Sequence, residues 1–328
     1  MKKGIKRTVK KKADMTSESL GMHRPLHKIQ GNKFKLLPKI ASVLNKVGMD
    51  NNSTWVEPFM GTGVVGFNLA PENAYFYDIN PHIINLYKGI KDRSITLNHI
   101  SGALLKYQKL FLGSAPIVHE DPKVRNTRGD EVYKAMRAEF NKTHCPILFL
   151  VLNRTGFNGL VRFSKREQVF NTPYCKNYSK ITDSLIDSMM ESYSKISYKI
   201  KHQNWNFESL PFDQALSNHR DDKNTVAFCD PPYIGRNTQY FTGWDIEDEA
   251  LLHSLLANNV DNFLLTTWFN EYSIEAFESA NRNRRSPIPL NPAFEKYWNQ
   301  YERLTFPHKY TIAGGQHNVG VYEAIVYK

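Results

Sequence analysis

The sequence is poor in cysteine and has no long apolar run. Its three cysteines, Cys145, Cys175 and Cys229, lie far apart and lack Cys-x-x-Cys spacing. That excludes a disulfide framework and a four-thiolate zinc site, and a reducing, cytoplasmic compartment is the expectation. No stretch approaches the roughly 18 consecutive apolar residues of a membrane span. The N-terminus is basic but lacks the apolar segment of a secretory signal. Also missing are the phosphate loop ending in Gly-Lys-Ser/Thr, the His-Glu-x-x-His of zinc proteases and the Gly-x-Ser-x-Gly of hydrolases. The 11 histidines show no ligand spacing, so no metal is expected.

Acid is in short supply, and unevenly so. Among 328 residues, 43 Lys plus Arg face 32 Asp plus Glu, a net charge of +11. Residues 1–12 carry +7 with no acid, residues 123–180 carry +8, and residues 181–328 carry −6. A basic total leaves polyanion binding open, and its clustering points to two places where a polyanion could be gripped. Residues 1–20 are polar, Lys-rich and without apolar periodicity, and read as a disordered basic arm.

After the arm the pattern alternates between strands and helices. Residues 54–56 read as a short buried strand, and Gly61, Gly63 and Gly66 follow as a tight turn into a helix. Residues 74–77 read as a second strand ending at Asp78, and Asn80-Pro81 is a good helix start. Strand, helix, strand within so short a span implies a parallel pair with a right-handed crossover. Helical periodicity marks residues 100–112, 132–140 and 185–193, whereas the Gly-, Asn- and Arg-rich stretch 153–178 suits a hairpin and loops. Residues 198–202 alternate as a strand, 225–229 form another that ends at Asp230, and 263–268 and 320–327 read as the last two. Asp245 caps a helix with an acidic first turn. The reading is one α/β sheet domain, residues 21–93 and 198–328, interrupted by a basic insertion over 94–197.

Two motifs carry chemistry. Glu57-Pro58-Phe59-Met60-Gly61-Thr62-Gly63-Val64-Val65-Gly66 contains Gly-x-Gly-x-x-Gly, with the acid Asp78 at the end of the next strand. Dinucleotide sites and S-adenosylmethionine sites both use this arrangement, the acid accepting hydrogen bonds from ribose hydroxyls, and the glycines alone do not choose between them. The second motif decides. Asp230-Pro231-Pro232-Tyr233 directly follows a strand, at the sheet edge where α/β ligands bind. A carboxylate, a carbonyl fixed by proline and an aromatic face suit an exocyclic amine on a planar ring.

With both motifs in this order, the chain resembles the Dam-related, D12 class (α group) DNA adenine-N6 methyltransferases, over roughly residues 25–328. Four blocks carry the likeness: Lys28-Ile29-Gln30-Gly31-Asn32-Lys33, Glu57 to Gly63, Asn153-Arg154-Thr155-Gly156-Phe157-Asn158-Gly159-Leu160-Val161-Arg162, and Asp230 to Tyr233. The third, followed by Phe170-Asn171-Thr172-Pro173, is the most specific. The resemblance implies a class I, Rossmann-like S-adenosylmethionine-dependent sheet with an inserted, mainly helical plus β-hairpin DNA-recognition domain. It implies transfer of a methyl group from S-adenosylmethionine to N6 of a flipped-out adenine in double-stranded DNA.

Residue by residue, the resemblance assigns Lys33, Glu57, Phe59, Gly61, Gly63 and Asp78 to the cofactor, with Asp230 near its methionine amine. Asp230, Pro231, Pro232 and Tyr233 hold the flipped adenine as the catalytic group. Arg154, Phe157, Asn158, Leu160, Arg162 and Pro173 occupy positions placed at DNA, and Lys28 matches a lysine that reaches guanine in the Dam branch. Chemically, Phe157 can fill the vacated stack, and Arg162 can bind guanine O6 and N7 bidentately. Lys165, Arg166, Lys176 and Lys180 suit phosphates, while Arg282, Arg284 and Arg285 suit a solvated loop.

The chain also departs from the pattern. Ile29 replaces a tryptophan usual in Dam proteins, residues 204–207 (Asn-Trp-Asn-Phe) replace a common Asp-Phe, and residues 164–169 differ from the Dam pattern, so GATC specificity does not carry over. Residues 230–236, with Trp244 beyond them, have a further likeness to methyltransferases of type IIS restriction-modification systems. A cognate endonuclease acting separately, a monomeric state and a bacterial or phage nucleoid location complete the expectation. The competing readings are an RNA or cytosine-N4 methyltransferase, a nicotinamide oxidoreductase built on the glycine turn, and a DNA-binding protein without catalysis.

Overall fold

The structure is a computed structural model that describes residues 16–113, 128–164, 168–175, 181–234, 243–270, 291–307 and 321–328. Its seven strands are β1 (Thr54–Glu57), β2 (Asn73–Tyr77), β3 (Asn204–Glu208), β4 (Thr225–Cys229), β5 (Asn262–Asn270), β6 (Glu302–Pro307) and β7 (Val321–Tyr327). They form one sheet in the order β3-β2-β1-β4-β5-β7-β6. The first five are parallel, and β7 runs antiparallel between β5 and β6. The order reverses at β1 and β4, so a crevice opens beyond their carboxyl ends, where doubly wound sheets take their ligands.

The helices are α1 (Leu37–Lys46), α2 (Val64–Leu69), α3 (Pro81–Lys91), α4 (Leu97–Leu112), α5 (Arg128–Thr143), α6 (Pro146–Thr155), α7 (Asp183–His202), α8 (Phe212–Ser217) and α9 (Ile246–Asn259). Side chains alternate across each strand and so build two cores. Trp55, Val226, Phe228, Leu264 and Ile325 face α1, α2, α3 and the helices α4 to α7. Val56, Ala227, Cys229, Leu265 and Val326 face α8 and α9. The inserted helices share the first core with the sheet.

Helix starts follow the expected chemistry. Asn80 Oδ1 accepts from His82 N at 3.0 Å with Pro81 at the first helical position, and Asp245 caps the acidic start of α9. No described helix is long and apolar enough to cross a membrane.

Three expectations change. The alternation over 198–202 belongs to the last turns of α7, where Ile196 and Ile200 are buried one helical turn apart, and the edge strand is β3. The stretch expected to open as a hairpin at residue 153 instead begins as the end of α6. That helix is buried all round, so its sequence carries no amphipathic period to reveal it. Beyond it, hairpin-like pairing among the described residues consists of two isolated bridges, Gly156 to Tyr174 and Phe163 to Phe170. Of the arm, residues 1–15 lie outside the described residues. Its last five, Thr16 to Leu20, form a turn, and the buried Ser17 hydroxyl donates to the Phe34 carbonyl.

Candidate active site

The turn after β1 is shaped by what glycine alone permits. Gly63 sits at φ 65°, and a Cβ there would meet the Phe67 ring at 2.5 Å and Met60 Cε at 2.8 Å. At Gly66 a Cβ would collide with Phe76 and with the Glu57 carboxyl group. Glu57 can therefore come against the backbone, where its Oε2 accepts from Gly66 N at 3.1 Å and from Trp55 Nε1 at 3.0 Å. Burial pushes the Glu57 carboxyl group up to about 8. From the end of β2, Asp78 braces the same turn, its two oxygens accepting from Gly61 N and Asn80 N at 2.8 Å each. Burial outweighs these two bonds and raises Asp78 to about 6.

Between this turn and the end of β4 lies a cavity of about 500 Å³. Lys33, Glu57, Phe59, Gly61, Asp78 and Asp230 all line it, as the sequence led us to expect. Gly63 and Tyr233 do not line it. Gly63 lies behind the turn against Phe67, so its contribution is the shape of the turn.

Phe212 of α8, a wall residue, had no place in the sequence reading, and Trp244 ahead of α9 entered it only through the likeness to type IIS methyltransferases. With Phe59 they form an aromatic cluster, Phe59 stacking on Phe212 at 5.4 Å and meeting the Trp244 edge at 5.5 Å. Trp205 and Phe207 of the departing 204–207 segment are buried in the core and do not reach the cavity.

Asp230 is held by charge and hydrogen bonds together. Its Oδ1 receives Lys33 Nζ at 2.7 Å and the Thr266 hydroxyl at 2.6 Å. Burial by itself would lower the Lys33 pKa. The charges of Asp230 and Glu323 outweigh it and keep the lysine well above its ordinary value, so it is an ammonium. Tyr233 donates its hydroxyl to Glu323 Oε1 at 3.3 Å, and burial keeps that phenol protonated. Pro231 and Pro232 are buried, and Trp268 Nε1 donates to the Ile234 carbonyl at 3.2 Å, which fixes the end of the segment. Sequence reasoning missed Thr266 and Glu323. The available signal was a polar side chain inside each of two apolar strands.

The insertion divides its expected DNA residues. Arg154, expected at DNA, is 7% exposed. Its Nε donates to Leu26 O at 2.7 Å and its guanidinium also reaches Pro25 O at 2.9 Å, so it is occupied inside the protein. The reason is location: it lies on buried α6 and caps carbonyls of the 25–26 segment that no strand or helix satisfies. Burial lowers it to about 10, and it remains cationic. Its neighbour Asn153 pairs both ways with the Lys28 backbone, at 2.6 and 2.7 Å.

The other positions do reach the surface. Phe157 is 46% exposed and is not part of the core. Lys28, Asn158 and Pro173 are exposed, and Leu160 lines the cavity mouth. Arg162 is half-buried, donating from Nε to Asn171 Oδ1 at 2.7 Å and from Nη2 to Asn171 O at 3.0 Å. Lys165, Arg166, Lys176, Lys180 and Arg282, Arg284 and Arg285 lie outside the described residues.

The arrangement is therefore one cavity lined by five carboxyl groups, those of Glu57, Asp78, Asp213, Asp230 and Asp248, and an aromatic wall, beside a surface that carries Phe157 and Lys28. The family model of D12 class N6 adenine-specific DNA methyltransferases matches residues 30–286, most of the chain. The chain belongs to this family.

Relatives of this methyltransferase agree. It is 30% identical over 268 residues to the DNA adenine methylase of Escherichia coli K12, covering 75% of this chain and 84% of the relative. Against the Haemophilus influenzae DNA adenine methylase it is 30% identical over 229 residues, 68% of each chain. A type II methyltransferase of Lactococcus lactis, M1.LlaDCHI, is 28% identical over 284 residues, covering 79% and 89%. The methyltransferase is thus an enzyme that methylates adenine N6 in DNA with a methyl donor. That sets aside the nicotinamide, RNA, cytosine-N4 and catalysis-free readings.

Proposed function

We propose that the donor is S-adenosylmethionine, bound in the cavity beside the glycine turn, and that the target adenine is flipped out of double-stranded DNA onto Asp230 and Tyr233. The wall suits such a donor. Asp78 offers a carboxylate for ribose hydroxyls, Phe59, Phe212 and Trp244 offer aromatic faces for a purine, and Glu57 and Asp230 offer acids to a cationic methionine end. When bound, S-adenosylmethionine supplies an electrophilic methyl group on a sulfonium sulfur.

The observation that carries the reading is the set of contacts on Asp230. Lys33 and Thr266 occupy Oδ1, and among the described residues no donor reaches Oδ2, which remains for an amine. In this reading Asp230 Oδ2 and the Pro231 carbonyl accept the two amine hydrogens. That draws the nitrogen lone pair out of conjugation with the ring. Tyr233 stacks on the purine and offsets part of the cost of extrusion, about 1–3 kcal/mol in comparable base–aromatic contacts. Phe157, exposed beside Pro173, fills the gap in the stack. Lys28, Asn158, Leu160, Arg162 and Pro173 read the surrounding bases. Arg154 has no DNA contact in this scheme.

The type II name of the Lactococcus relative supports a place in a restriction-modification system, with a separate endonuclease as the cognate partner. The likeness to type IIS methyltransferases rests on the sequence at 230–236, whose last two residues lie outside the described residues. A monomer working in the bacterial cytoplasm completes the proposal. The test is to methylate a plasmid of known sequence with purified protein and S-adenosylmethionine, then map N6-methyladenine base by base. One repeated motif, methylated only with the donor present, supports the reading. Absence of N6-methyladenine would falsify it.

A further inference from the structure

Glu323 is the one charge in β7, whose sequence is otherwise Val-Tyr-Ala-Ile-Val-Tyr. It is 8% exposed and lies between Trp268 of β5 and Phe306 of β6 in the strand register. A carboxylate buried there costs several kcal/mol unless it is paired and hydrogen-bonded. Two of its partners belong to the methyl-transfer site: the Tyr233 hydroxyl at 3.3 Å and Lys33 Nζ at 3.8 Å, the same ammonium that meets Asp230 at 2.7 Å. Lys33 Nζ also lies 5.3 Å from the centre of the Tyr233 ring.

We propose that Glu323 is a positioning residue for methyl transfer, holding the Tyr233 ring by its hydroxyl and restraining Lys33 between two acids. The proposal rests on the reading that Asp230 and Tyr233 hold the target adenine. Its logic is geometric. A phenol anchored at its far end presents one fixed face to a base and needs no ordering when the base arrives. An ammonium shared by two carboxylates draws less fully on either one. Lys33 Nζ also donates to the Gly31 carbonyl at 2.8 Å, so with Glu323 neutral its remaining donors would turn to Asp230 and compete with the adenine amine for its lone pairs. Glu323 thus acts on the base through Tyr233 and on the acceptor through Lys33, without touching substrate.

The test is steady-state kinetics of the full chain on DNA bearing its mapped site. Glu323→Gln keeps shape and removes charge. The expected result is a fall in kcat of about 10- to 100-fold, with KM for donor and DNA within about twofold. Tyr233→Phe should lose a similar factor, and the double variant should fall no further than the worse single one. Glu323→Asp should recover part of the loss, because charge is restored. Wild-type kcat in Glu323→Gln, or losses that multiply in the double variant, would overturn the proposal. Should Glu323→Gln fail to fold, Tyr233→Phe and Glu323→Asp decide: full activity of Tyr233→Phe overturns it, and loss in Tyr233→Phe with partial activity in Glu323→Asp supports it. Asp230→Ala separates the two levels. If it remains active, the reading of the site itself fails. If it is inactive while Glu323→Gln is fully active, only the role of Glu323 falls.

Discussion

Arg154 and Arg162 stand in one motif of the insertion and do opposite work. Arg154 ends a buried helix and spends its donors on the Pro25 and Leu26 carbonyls. Arg162 lies past the turn, half-buried against Asn171, at the surface that carries Phe157 and Lys28. The same contrast separates the two halves of the molecule. At the sheet edge, acids are held by backbone and cation so that a ligand meets a fixed constellation. In the insertion, one group of side chains builds the platform and another stands exposed, which the proposed reading gives to DNA. Asn153 and Arg154 clamp the segment that carries Lys28 and leads on to Lys33, so the platform is joined to the catalytic cavity by a few residues of chain. A residue type strongly associated with DNA is therefore no guide to contact until its burial is known.

The sharpest way to break this division is at its catalytic side. Asp230→Ala should lower methyl transfer by at least about 10²- to 10³-fold, because in the proposed scheme it removes an acceptor at the reacting nitrogen. Incorporation of labelled methyl groups measures it, and near-wild-type incorporation would move the chemistry elsewhere. On the other side, Arg154→Ala should act through folding. Loss of a buried guanidinium bound to two carbonyls costs about 3 kcal/mol and lowers Tm. Cognate and random DNA should be bound with an unchanged affinity ratio by whatever protein remains folded. A selective loss on cognate DNA would return Arg154 to the interface.

Much of the sheet edge was legible because its signals are local. A strand ending in Asp-Pro-Pro-Tyr and a glycine turn answered by Asp78 each specify their own geometry within a few residues, and both arrived where the spacing places them. Phe212, Thr266 and Glu323 were not legible. They come from α8, β5 and β7, and tertiary pairing alone brings them to the site. α6 escaped for a different reason. A helix buried on every side loses the period of 3.6 that betrays an amphipathic one. Arg154 was expected at DNA from the resemblance alone, and nothing in the stretch read as hairpin and loops marked it as the end of a buried helix. Its length and basic setting said nothing of the orphan carbonyls at Pro25 and Leu26 that it satisfies.

A smaller effect is expected at Arg162, and it sharpens the contrast between the two arginines. Arg162→Ala should leave Tm nearly unchanged, since its hydrogen bonds lie at a half-exposed surface. Discrimination between cognate and altered sites should fall by about 1–3 kcal/mol if the guanidinium turns to a guanine. Competition binding on single-base variants of the mapped site reads this directly. Equal losses on cognate and random DNA would assign Arg162 to phosphate.

The smallest effect separates the halves by pH. Asp78 is raised to about 6, so the folded, ligand-free protein holds its proton more tightly than the unfolded chain does. Stability from this group is greatest below about pH 4 and declines as pH rises to about 6, because the unfolded state then binds fewer protons than the folded one. Glu57, raised to about 8, extends the same decline to higher pH. Donor binding should run the other way, since in the proposed scheme ribose hydroxyls meet the Asp78 carboxylate and the methionine end meets Glu57. Affinity for S-adenosylmethionine should therefore weaken as pH falls, more gently between about 8 and 6, where Glu57 gains its proton, and more steeply below 6, where Asp78 adds up to about tenfold per pH unit. Calorimetric titration from pH 5 to 7.5 measures the slope, and Asp78→Asn should bind weakly with the extra slope below pH 6 gone. In the proposed scheme non-specific DNA binding runs through arginine and lysine side chains of the insertion, so it should not follow the Asp78 proton. A pH step in DNA affinity without donor that Asp78→Asn abolishes would show that the two halves share the proton, and the division drawn between Arg154, Arg162 and the sheet edge would have to be redrawn.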